Sequence, residues 1–83
     1  SAEQVFRVEF PEKPNALHTF LIHLGGKFDI TMFHYRNHGS AFGKVLVGFR
    51  CGAEDRDSIT QIFKQLNYPS KNETQSEAYK FFL

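Results

Sequence analysis

Val5-Phe6-Arg7-Val8-Glu9-Phe10 alternates apolar and charged side chains, so Phe6, Val8 and Phe10 share one face of an extended strand and Arg7 and Glu9 the other. Pro11 and Pro14 bracket Glu12-Lys13 and end that strand, because proline cannot donate to a ladder and biases the residue before it toward extended geometry. Beyond the turn, Leu17, Phe20, Leu21, Leu24 and Phe28 recur at helical intervals as one apolar stripe. Pro14 suits the first turn of that helix, and Gly25-Gly26 its end.

Outward from this strand-turn-helix the pattern continues. Asp29 to Arg36 reads as a strand with Ile30, Met32 and His34 on one face and Thr31, Phe33 and Tyr35 on the other, both partly apolar. A turn over 37–43 leads into a second run, Lys44 to Cys51, where Val45, Val47, Phe49 and Cys51 again fall together; the pair predicts a hairpin. Ile59, Ile62, Phe63 and Leu66 mark a second amphipathic helix, entered through Glu54-Asp55-Arg56-Asp57-Ser58, whose carboxylates suit the positive helix end, and closed by Asn67-Tyr68-Pro69. The polar run Ser70 to Glu77 reads as a loop, and Ala78 to Leu83 as a short terminal strand.

The predicted order β-α-β-β-α-β is the ferredoxin-like α+β split unit: a four-stranded antiparallel sheet with two helices on one face, and the first and third strands central. The core face is then Phe6, Val8, Phe10, Ile30, Met32, Val45, Val47 and Phe49. Phe33, Tyr35 and Leu46 fall on the uncovered face, where clustered apolar side chains predict a partner surface.

Composition bounds what such a unit can do. Eighty-three residues make one domain, with one core and no room for a second. Ten Lys and Arg against nine Asp and Glu leave a formal charge of +1, which speaks against a nucleic-acid partner, and 41% apolar residues speak against disorder. Ten Phe and three Tyr fill a small core without staples; the single cysteine, Cys51, sits on the apolar side of a strand as an inert thiol and suits a reducing compartment. No window is long and apolar enough for a membrane span.

Chemistry-bearing clusters are few. His18 and His23 lie five apart on a helix and so diverge, and His34 and His38 straddle a strand end, so a metal site is not expected. Gly25-Gly26 lacks the spacing of a phosphate-binding loop, and Gly39 with Gly43 is not followed by a helix. An RNA-recognition module shares this fold, but aliphatic residues stand in Gly43-Lys44-Val45-Leu46-Val47-Gly48-Phe49 where its rings would be. Two segments remain: Phe10 to Leu17, where a helix start offers N–H groups to a small carboxylate, and Phe33 to Gly39, which crowds donors and rings at a strand end.

Those two segments carry a resemblance. Phe10-Pro11-Glu12-Lys13-Pro14-Asn15-Ala16-Leu17 is similar to the Phe-Pro-Glu-Arg-Pro-Gly-Ala-Leu signature of the regulatory domain of biosynthetic threonine deaminase (threonine ammonia-lyase). Phe33-His34-Tyr35-Arg36 resembles the Phe-His-Tyr-Arg segment of the same family, Gly43 to Phe49 its following strand, and Asn72 to Leu83 its ending. The similarity implies a single ACT-like regulatory domain over 1–83, taken from a longer enzyme whose pyridoxal-phosphate catalytic domain converts threonine to 2-oxobutanoate and ammonia. It implies isoleucine or valine as effector and a second ACT-like unit or the catalytic domain as partner. It assigns this chain no cofactor and no catalytic residue, and a bacterial cytoplasm, plastid or mitochondrion as compartment.

On that resemblance the effector site comprises Glu12, Asn15, Ala16, Leu17, Phe33 and Tyr35, facing a neighbouring unit. N–H groups of Asn15, Ala16 and Leu17 take the carboxylate, strand carbonyls or Glu12 the ammonium, and Leu17, Phe33 and Tyr35 the aliphatic chain. Asn15 stands where the family has Gly, and Asn tolerates the left-handed backbone better than most residues. The alternative is a packing unit that binds no amino acid.

Overall fold

The computed structural model describes residues 3–37, 39 and 41–75. Their order is β1 (Gln4–Pro11), α1 (Ala16–Gly25), β2 (Asp29–Arg36), β3 (Phe42–Arg50), a 3-10 turn (Ala53–Asp55), α2 (Arg56–Gln65) and β4 (Ser70–Asn72). The four strands form one antiparallel sheet in the order β2-β3-β1-β4, so the first and third strands are central, as predicted.

The alternation of β1 is used fully. Phe6 lies opposite Val47, Val8 opposite Val45 and Phe10 opposite Gly43, all on the face that carries both helices. The helices contribute Ala16, Phe20 and Leu24 from α1 and Ile59, Ile62 and Phe63 from α2 to the same cluster. Phe20 is the hub: its ring centroid lies 6.0 Å from Phe10, 6.1 Å from Phe33, 5.9 Å from Phe63 and 6.1 Å from Tyr68. Leu21 of the predicted stripe instead faces outward beside Ile22.

Each helix ends for a local reason. After α1, the N–H groups of Lys27 and Phe28 both donate to the Leu24 carbonyl, and the chain turns so that Phe28 packs edge-on against Phe49. After α2, Asn67 takes φ 61° while Tyr68 N–H reaches back to the Phe63 carbonyl at 2.9 Å and Asn67 N–H to Lys64 at 3.1 Å. This is a Schellman closure with asparagine in the glycine position.

Two sequence expectations are corrected. The first concerns β2, whose pairing passes from Ile30 opposite Phe49 to Met32 opposite Gly48, leaving Thr31 as an extra residue. Such a bulge reverses the faces beyond it. Phe33 therefore lies opposite Val47 and Tyr35 opposite Val45 on the helix side, while Met32 leaves the core face. The Thr31 hydroxyl donates to the Glu3 carboxylate, and both lie over Gly48, where a Cβ would come within 2.8 Å of Thr31 Oγ1. Leu46, on the opposite face, is fully buried, so Phe33, Tyr35 and Leu46 do not make an exposed open-face patch.

The second correction concerns β4. Ser70–Asn72, read as part of a loop, pairs with Val8, Arg7 and Phe6. All three residues are exposed and polar, so they carry no alternation; main-chain pairing with the other edge of β1 is what makes them a strand. Pairing is reinforced where Glu73 N–H donates to the Val5 carbonyl at 2.7 Å and the buried Glu73 carboxylate meets Arg7 at 3.1 Å. The strand predicted over 78–83 lies outside the described residues.

Candidate functional site

Three strand ends converge where β1 runs into α1. Pro11 pairs with Phe42 at the end of β1, and Arg36 pairs with Lys44 at the end of β2, so the β1–α1 turn and the end of β2 flank the start of β3. The turn is held by its own backbone: Glu12 N–H donates to Ala41 at 2.9 Å, Lys13 N–H to Pro11 at 2.9 Å, and Ala16 N–H to Lys13 at 3.0 Å. Asn15 has φ 68° and ψ 5° with no side-chain capping bond, while its carbonyl accepts the Thr19 N–H at 2.9 Å. Asparagine is thus used here for its backbone tolerance, as at Asn67, and not as a side-chain cap.

Of the six residues expected from the sequence, Glu12, Asn15, Ala16, Leu17 and Tyr35 lie at or beside this end, whereas Phe33 lies further along β2, opposite Val47 in the row of Phe6. Glu12 is exposed, and its carboxylate accepts hydrogen bonds from the Tyr35 hydroxyl and from Asn37 Nδ2, which ties the turn to the end of β2. Tyr35 is 42% exposed, with its ring against Phe10 at 5.9 Å. Leu17 and Phe33 are half-buried against the core cluster. The Ala16 side chain is buried in that cluster and its N–H is committed to Lys13, so neither is directed at solvent. Among the described residues, Leu17 and His18 N–H groups meet no backbone acceptor, as at any helix start.

Sequence reasoning passed over Asn37 and Phe10 as site neighbours. Both carried a signal, since Asn37 follows the Phe-His-Tyr-Arg segment directly and Phe10 opens the Phe-Pro-Glu segment, although its place on the core face assigned it to packing. The contact of Glu12 with Tyr35 spans 23 residues of chain and follows from the bulge, which no local pattern announced.

The phenol of Tyr35 is raised above its ordinary value, first because its proton is held by the Glu12 carboxylate, then by desolvation and by repulsion between that carboxylate and the phenolate; Asn37 opposes the shift. The folded chain therefore holds this proton more tightly than the unfolded chain. The contribution to stability is complete below the ordinary phenol value of about 10 and is lost as pH rises through the folded-state value. An NMR titration of ring-labelled tyrosine, assigned through Tyr35→Phe, is expected to show Tyr35 ionising above that value and Glu12→Gln returning it toward normal. The Cys51 thiol is also raised, by burial first and then by Asp55 and Glu54, which keeps it a weak nucleophile.

Elsewhere, a cavity of about 510 Å³ opens at the other end of β1, lined by Gln4, Arg56, Lys71 and Thr74 among others; no candidate residue reaches it. Among the described residues no cluster of His, Cys, Asp and Glu is arranged to hold a metal ion, and no helix is long and apolar enough to cross a membrane.

Fold and site together define a ferredoxin-like α+β unit: a β-α-β-β-α-β sheet with a polar and aromatic cluster at its first strand-helix turn. Comparison with known proteins is specific on the family. The model of the C-terminal regulatory domain of threonine dehydratase matches residues 1–83, and the chain belongs to that family. It is 42% identical over 81 residues to the biosynthetic L-threonine dehydratase IlvA of Escherichia coli (strain K12), covering 98% of this chain and 16% of that protein. It is 38% identical over 81 residues to the mitochondrial threonine dehydratase of Saccharomyces cerevisiae, covering 98% of this chain and 14% of that one. With the chloroplastic biosynthetic enzyme of Arabidopsis thaliana it shares 36% identity over 66 residues, covering 80% of this chain and 11% of that protein. The chain thus spans about a sixth of the length of the bacterial relatives it matches.

Proposed function

We propose that this domain binds a branched-chain amino acid, isoleucine or valine, and passes its occupancy to the catalytic domain of a parent threonine dehydratase. The observation that carries the reading is the Glu12 carboxylate, exposed beside the start of α1 and held in place by Tyr35 and Asn37. A carboxylate has about four acceptor positions, so Glu12 can keep both hydrogen bonds and still receive an ammonium group. The ligand's carboxylate takes N–H groups of Asn15 and Leu17, since that of Ala16 is already occupied. Its aliphatic chain lies against Leu17, Phe33 and Tyr35, and a neighbouring ACT-like unit, from a second copy or the parent chain, closes the site.

In the parent, a ligand that prefers one arrangement of paired units shifts activity through a coupling typically of about 1 to 3 kcal/mol. The deamination itself belongs to the catalytic domain, where pyridoxal phosphate supplies the electron sink. Every lysine among the described residues of this chain is exposed, and a Schiff-base lysine needs a desolvated seat, so these residues do not fit that cofactor. The compartment follows the parent's organism, as the mitochondrial and chloroplastic names of the relatives illustrate.

A second reading, a packing unit without ligand, is favoured by Leu21 and Ile22, which stand 38% and 59% exposed on the outside of α1. Thermal unfolding separates the two. Isoleucine at about 100 times its Kd is expected to stabilise the native state by about 2.7 kcal/mol, a rise in Tm of roughly 10 to 20 °C. Loss of a charged hydrogen bond in Glu12→Gln is expected to cut affinity by about ten- to a hundredfold. The same stabilisation in wild type and Glu12→Gln contradicts the placement, and none in wild type favours the packing unit.

A further inference from the structure

Gly43 is the second residue of β3, with a backbone that any residue could adopt, since the glycine with positive φ among the described residues is Gly39. Glycine weakens a strand at such a position, through chain entropy and a missing side chain. What it supplies is space. A Cβ added at Gly43 would lie 2.9 Å from Tyr35 Cε1 and 3.1 Å from Phe10 Cζ, closer than real Cβ atoms come without movement of a neighbour. Phe10 is the direct cross-strand partner of Gly43, and its ring covers the bare backbone much as aromatic neighbours rescue strand glycines elsewhere. The Tyr35 ring lies on Phe10 in turn, 5.9 Å between centroids, and from that seat its hydroxyl reaches Glu12.

We propose that Gly43 is a positioning residue of the effector site: the absence of a side chain there lets the Tyr35 ring lie across the start of β3, which brings its hydroxyl to Glu12 and sets the wall against which the ligand's aliphatic chain rests. The seating of Tyr35 stands on the geometry alone, and its consequence for the ligand rests on the function proposed above. Phe10 is fully buried and touches Phe20 and Tyr68, so it has little freedom to yield to a new methyl group. Tyr35 is the partner at the surface, and it is the ring that moves.

The test is Gly43→Ala, read first without ligand. NMR of ring-labelled tyrosine is expected to show the Tyr35 phenol returning toward its ordinary value, as in Glu12→Gln, while the Tyr68 signal stays in place. Calorimetry is then expected to give isoleucine affinity lower by about tenfold, equivalent to about 1.4 kcal/mol. An unchanged Tyr35 titration in Gly43→Ala overturns the proposal whatever isoleucine does. A shifted titration with no isoleucine binding in the wild type supports the seating and contradicts the effector reading instead. Should Gly43→Ala unfold, comparison in a Tyr35→Ser background decides: a much smaller loss of Tm there supports a clash with the ring, and an equal loss in both backgrounds overturns it.

Discussion

Phe20→Ala is expected to cost about 3 to 5 kcal/mol, enough to leave the domain largely unfolded at physiological temperature. The residue is fully buried and its ring touches four others, from β1, β2, α2 and the Tyr68 closure, so truncation leaves a cavity that no single neighbour can fill. Full burial of a phenylalanine contributes about 1.5 to 3 kcal/mol by transfer, and each well-placed ring pair about 0.5 to 1.5 more. Leu21→Ala, one residue along but outward-facing, is expected to cost well under 1 kcal/mol. Urea unfolding of the two variants checks both; equal losses would mean that α1 docks by a different face.

Asn15→Val is expected to lower stability by about 1 to 2 kcal/mol and Asn15→Gly to change it by no more than a few tenths. The backbone at Asn15 is left-handed, and a β-branched side chain there clashes with its own carbonyl environment, whereas glycine does not. No side-chain capping bond is lost in either variant. The contrast explains how Asn serves at this position: Asn and Gly both reach the same turn, and the turn sets Glu12 and the start of α1. If Asn15→Gly proves as costly as Asn15→Val, the asparagine side chain has a partner beyond the backbone argument.

Much of this fold was legible in the sequence because its main elements are amphipathic. The alternation of Val5 to Phe10, the helical spacing of Phe20 with Leu24, and that of Ile59 with Phe63 each name a buried face, and the structure uses those faces. β2 was legible as a strand but not as to its faces. With Ile30, Met32, Phe33 and Tyr35 spread over both sides, periodicity cannot reveal a one-residue bulge, and the bulge is what turns Phe33 and Tyr35 toward the helices. β4 was not legible because Ser-Lys-Asn has no apolar pattern and is a strand through main-chain pairing alone. Of the candidate site, the two segments were visible and their meeting was not: Glu12 reaches Tyr35 and Asn37 through tertiary structure, and the commitment of Ala16 to the core and to Lys13 follows from the tight turn that Pro11 and Asn15 build.

The most direct measurement is a calorimetric titration of the purified domain with L-isoleucine and with L-valine, with its mass in solution recorded alongside. Saturable heat from one of them, abolished or strongly weakened in Glu12→Gln and accompanied by paired units, is the expected result. Millimolar ligand that gives no heat with a paired species, or binding that is indifferent to Glu12, contradicts an effector site at the β1–α1 turn.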